Sequence, residues 1–179
     1  MNRRAVIFGA GGCTDPQINP LPGAEPESAS MAGLLREHAG FEVQVYIVAE
    51  ACRQANLRQS IRDAAGGMQP GDVLVIYAAL HATTTPVEQF LVWAQARVRD
   101  LNHHQTDDAL SLALLTEETS RPSLQRVFLL DACRKPLLSG ERRVGPDEVV
   151  VFNACNLVGA AGAPEVGEEG FSPLTAFSA

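Results

Sequence analysis

The chain has 179 residues, one domain's length, spanning 1–179 as a single unit long enough to bury a real core. Apolar residues make up 46% and charged residues 20%, a globular balance that excludes wholesale disorder. Against 14 Lys and Arg stand 21 Asp and Glu, a formal charge of −7 with no dense basic run, so nucleic acid is excluded as a partner.

Residues 4–9 (RAVIFG) are a β-branched and aromatic run closed by glycine, the pattern of a buried strand. A Pro/Gly-rich loop follows. Residues 27–38 place Met31, Leu34, Leu35 and His38 on one helical face, which Gly40 terminates. Residues 42–48 predict a second strand, and 52–65 a second helix, apolar through Leu57, Ile61, Ala64 and Ala65 and ended by Gly66-Gly67. Residues 73–80 (VLVIYAAL) are apolar on both faces, as in a sheet interior, and His81 follows at once. Residues 87–93 read as extended and 106–119 as a helix burying Leu110, Leu112, Leu114 and Leu115. Residues 126–130 (RVFLL) and 148–154 are further strands, with Asp131-Ala132-Cys133 at the end of the first. The closing GFSPLTAFSA reads as a helix that stops early, the expectation for a chain cut short at its C-terminus.

Alternating strands and helices predict an α/β fold with a mostly parallel sheet, helices on both faces and right-handed crossovers. The functional crevice of such a fold lies beyond the carboxyl ends of its strands, where His81 and Cys133 stand. A thiol becomes a useful nucleophile when an imidazole draws off its proton, and the two need only be close in space. If strands 73–80 and 126–130 are neighbours, both side chains leave the sheet at one rim.

The other candidates carry weaker chemistry. Cys13, Cys52 and Cys155 form no CxxC pair and read as small core residues, in keeping with a reducing cytoplasm. His103-His104 lack a third ligand at useful spacing, so no metal site is expected. Gly9-Ala10-Gly11-Gly12 hints at dinucleotide binding, but Thr14 stands where a third glycine belongs and prolines follow instead of a helix. No apolar run approaches the roughly 18 residues of a membrane helix, so no membrane partner is expected.

The runs LPGAEPESASMAGLL, GFEVQVY, PGDVLVIYAALHA, RVFLLDACR and GFSPLTAF resemble, in order, the landmarks of the caspase-like cysteine peptidases, on the metacaspase and bacterial caspase-homologue side. Cys133 follows His81 by 52 residues, and caspases place the His about 50 residues upstream of the Cys, so this spacing is part of the resemblance and owes nothing to the strand pattern. The resemblance implies a His81/Cys133 dyad, an oxyanion held by the backbone N–H groups of Ala82 and Cys133, and no cofactor. It also implies a pocket in which Asp131, with Glu27 as a second acidic position, selects Arg or Lys before the scissile bond. Protein or peptide substrates and a regulatory partner or further domain follow from the same resemblance.

Two departures bear on activity. Where the family has Ser-Gly-His-Gly, this chain has Ala79-Leu80-His81-Ala82, which restricts the oxyanion loop. Pro26 and Ser28 depart around Glu27 as well. The alternative to a peptidase is therefore a weak or inactive caspase-fold module serving interaction or regulation. Residues 134–148 read as an exposed loop in which Arg142 and Arg143 are candidate self-cleavage points, since Lys135 precedes Pro136 and makes a poor bond to cut.

Overall fold

Three runs of β-branched, aromatic and leucine residues form the centre of the molecule: β1 (Arg3–Gly9), β3 (Val73–Ala79) and β7 (Gln125–Asp131). The computed structural model describes residues 1–16, 18, 20–48, 51–52, 54–84, 89–92, 109–132 and 149–153. With β2 (Glu42–Tyr46) and β8 (Val149–Asn153) these strands make a five-stranded, all-parallel sheet in the order β2-β1-β3-β7-β8. β3 is paired on both sides and buried along nearly its whole length, which explains why its sequence shows no polar alternation.

The faces are covered as the sequence implies. Helix α1 (Ala24–Glu37) packs Ala24, Met31, Ala32 and Leu35 on Ala5, Ile7, Val75, Tyr77 and Ala79. On the opposite face, α2 (Gln54–Ala65) and α3 (Leu112–Glu118) pack Leu57, Ile61, Leu112 and Leu115 on Val6, Phe8, Leu74, Ile76 and Phe128. Because α1 leads outward from β1 to β2 and α2 leads back across β1 to β3, the direction in which successive strands are added reverses between β1 and β3. Ligand crevices of open α/β sheets form at such a switch, at the carboxyl ends of the strands.

Three local differences from the sequence expectation have physical causes. Helix α1 begins at Ala24, three residues before 27, because Pro26 falls in the first turn, where a missing N–H breaks no helical bond. Residues Ala109–Ser111 form a strand, β6, where 106–119 reads as a helix. Pairing with β5 (Gln89–Val92) claims them, and the helix waits until Ser111 caps it by accepting from the Leu114 N–H at 3.0 Å. His81 opens a further strand, β4 (His81–Thr84), which joins β5 and β6 in an antiparallel sheet of order β4-β5-β6. The tail read as the start of a helix lies outside the described residues.

Candidate active site

Gly9 closes β1, and α1 starts beside it. A Cβ on Gly9 would overlap Ser28 Oγ and lie 2.7 Å from the Ala24 carbonyl oxygen, so glycine is what admits the helix this close. The Ser28 hydroxyl uses the approach to donate to the Phe8 carbonyl at 3.3 Å. That clamp holds the first turns of α1 over the carboxyl ends of the central strands. Glu27 is fixed there, only 2% exposed.

The sheet supplies the rest. Asp131 ends β7 opposite Ala79, and Tyr77 stands opposite Leu129, so Asp131 and Tyr77 share the α1 face two residues apart along the ladder. Asp131 is 6% exposed and Tyr77 fully buried. Neither carboxylate oxygen of Asp131 nor the Tyr77 hydroxyl meets a hydrogen-bond partner. The Tyr77 phenol is nevertheless pushed far above its usual range, by burial first, then by the negative charge of Asp131 and of Glu27, and by the closeness of its hydroxyl to the Asp131 carboxylate. The hydroxyl faces that carboxylate but falls short of hydrogen-bond geometry.

Two carboxyl groups and a phenol therefore converge in one buried spot. Taking the Asp131 carboxylate out of water is unfavourable unless a partner compensates it, and what compensates a carboxylate best is a cation bearing several N–H donors. The site is chemically suited to a guanidinium or an ammonium group.

Strands 73–80 and 126–130 are neighbours, as the dyad reading requires. His81 is half-buried just past the end of β3 and opposite Val92; Ala82 lies opposite Leu91. Asp131 and Glu27 each act by their charge on the Tyr77 hydroxyl. Cys133, Arg142 and Arg143 lie outside the described residues, as do Cys155 and His103-His104. Tyr77 escaped the sequence reading because a tyrosine in an apolar run looks like a core aromatic. The available signal was its hydroxyl, which needs a partner in a strand that offers none.

The other thiols described are unsuited to nucleophilic work. Cys52 is fully buried, its Sγ donates to the Tyr46 carbonyl at 3.2 Å, and burial pushes its pKa up to about 11. Burial, then the charge of Asp15, raises that of Cys13 as well. Among the described residues no three His, Cys, Asp or Glu side chains are grouped to hold a metal ion, and no helix is long and apolar enough to cross a membrane.

Residues 2–168 match the family model of the caspase domain. Among solved structures, the chain is similar to a Geobacter sulfurreducens protein, with a TM-score of 0.59 and 16% identity over 74% of this chain and 51% of that one. It is similar also to caspase-1 from Spodoptera frugiperda, with a TM-score of 0.58 and 14% identity over 90% of this chain and 63% of that one. The structure of pro-sf-caspase-1 gives a TM-score of 0.54 and 15% identity over 85% of this chain and 60% of that one. At these identities the likeness is one of fold, and the chain spans about half to three-fifths of the length of these structures. No curated protein sequence matches it.

Proposed function

Starting from the membership of this chain in the caspase-domain family of cysteine peptidases, we propose that it is an endopeptidase that cuts proteins or peptides after Arg or Lys. The observation that carries this reading is that two carboxyl groups, Asp131 at the carboxyl end of β7 and Glu27 in the first turns of α1, are both buried and both act by their charge on Tyr77. A basic side chain entering there brings positive charge to the two carboxyl groups. An acidic one meets repulsion and leaves its own carboxylate unpaired.

In the proposed mechanism His81 takes the proton from the Cys133 thiol, and the thiolate attacks the carbonyl carbon of the residue held by Asp131. Negative charge gathers on the carbonyl oxygen, where the N–H groups of Cys133 and Ala82 receive it. His81 then returns the proton to the leaving amine, and water hydrolyses the thioester. Residues of the dyad act without a cofactor.

One observation favours a second reading, a weakly active or inactive module. Ala82 sits in extended backbone within the β4–β5 ladder, which is a stiffer place for an oxyanion donor than a glycine loop. Short fluorogenic peptides ending in Arg, Lys or Asp separate the two. The peptidase hydrolyses the Arg and Lys peptides, and Cys133→Ala and His81→Ala each lose at least about a hundredfold. A wild-type protein that folds and cleaves none of them leaves the module.

A further inference from the structure

Tyr77 is a residue whose packing and chemistry disagree. Its ring fills the sheet face beneath α1 together with Ile7, Val75 and Ala79, a task phenylalanine performs equally well. The hydroxyl adds nothing to that packing. It is fully buried, has no partner in hydrogen-bond geometry, lies close to the Asp131 carboxylate and feels the charge of Glu27. A buried unsatisfied hydroxyl weakens the folded state, so its presence calls for a partner that arrives later.

The number of donors tells which partner. Tyr77 lies two residues inside the strand end marked by Ala79 and Asp131, on the same face of the sheet, and its hydroxyl is close to the Asp131 carboxylate. A guanidinium entering from the rim carries five N–H donors in a planar fork. The two oxygens of Asp131 accept two of them, and more remain to be satisfied. An ammonium has only three donors on a compact head, which the neighbouring carboxylates can satisfy by themselves.

We infer that Tyr77 is a specificity-determining residue of this pocket, its phenol oxygen accepting an N–H from the guanidinium of a bound arginine and so favouring Arg over Lys. The inference rests on the reading of Asp131 as the anion of a basic-residue pocket. The phenol oxygen and the Asp131 carboxylate are neighbours, short of hydrogen-bond geometry. When arginine binds, the carboxylate exchanges that neighbour for the cation, and the phenol oxygen becomes an acceptor.

The test is calorimetric binding of two acetylated tetrapeptide amides, identical except for a terminal Arg or Lys, to full-length protein carrying Cys133→Ala so that the peptides stay whole. Three forms are compared: this parent, the parent with Tyr77→Phe, and the parent with Asp131→Asn. Expected is an Arg peptide bound about 3–10-fold tighter than the Lys peptide by the parent, a ratio near one in Tyr77→Phe, and weakening of both peptides by at least about tenfold in Asp131→Asn. The melting temperature of Tyr77→Phe should equal or exceed that of the parent. A Tyr77→Phe protein that keeps the parent's ratio, or melts well below it, overturns the role of Tyr77 while the pocket stands, provided Asp131→Asn still weakens both peptides. Asp131→Asn binding both as the parent does, or a parent that binds neither peptide at millimolar concentration, overturns the pocket and Tyr77 with it.

Discussion

Replacing Gly9 by alanine tests whether the contact between β1 and α1 is what builds the site. The added Cβ would overlap Ser28 Oγ and approach Ala24 O to 2.7 Å, and the second of these is backbone that no rotamer change can move. Helix α1 must therefore back away from the sheet. Overpacking of this kind destabilises by about 1–3 kcal/mol, and stretching the Ser28 to Phe8 hydrogen bond, already 3.3 Å, adds at most about 1 kcal/mol. The sum of about 1–4 kcal/mol corresponds to a fall in Tm of roughly 2–16 °C for a chain of this size. Differential scanning fluorimetry reads the shift directly. Because Glu27 moves with the helix, Arg-peptide binding should fall further than the unfolded fraction explains at a temperature where the variant is folded. Adding Ser28→Gly removes the side-chain overlap but leaves Ala24 O in place, so rescue should be partial. A Gly9→Ala protein with unchanged Tm and peptide affinity would refute the account, and full rescue by Ser28→Gly would refute the backbone part of it.

Asp131→Ala should lower kcat/KM for Arg and Lys peptides by about 10–150-fold, the worth of a charge-assisted hydrogen bond, while leaving the circular-dichroism spectrum unchanged; wild-type selectivity in this variant would remove Asp131 from the pocket. Self-cleavage should fall after Arg143 or Arg142, giving two fragments by mass spectrometry in wild type and an intact chain in Cys133→Ala, and equal nicking of both would assign it to a contaminant. Glu118 ties α3 to α2 by accepting from Arg58 Nε and Arg62 Nη2, each at 2.7 Å, and these bonds, that from Arg62 foremost, hold its carboxyl down to about 2. A depressed folded pKa means stability present above the ordinary carboxyl range and lost as pH falls from about 4.5 towards about 2. Urea titrations at several pH values should show a flatter acid limb for Glu118→Gln than for wild type, and parallel limbs would show that the ion pairs contribute nothing.

Elements whose patterns are local could be read from the chain alone. The apolar run at 73–80 and those that follow an arginine at 4–9 and 126–130 mark buried strands, because a sheet interior accepts apolar side chains on both sides without polar alternation. Helical spacing of Met31 with Leu35 and of Leu57 with Ile61 assigned the covering helices, and the carboxyl-end rule singled out His81 and Cys133, while Asp131 came from the family resemblance. What depends on partners distant in the chain was settled by packing. Residues Ala109–Ser111 satisfy a helical pattern as readily as a strand, and pairing with β5 decides between them. The strand order β2-β1-β3-β7-β8 sets Ala79 opposite Asp131, and the bare Cα of Gly9 lets α1 descend until Glu27 and Asp131 both act on the Tyr77 hydroxyl. Periodicity reports which face of an element is apolar, whereas the convergence of residues 27, 77 and 131 is set by contacts between elements that no local pattern encodes.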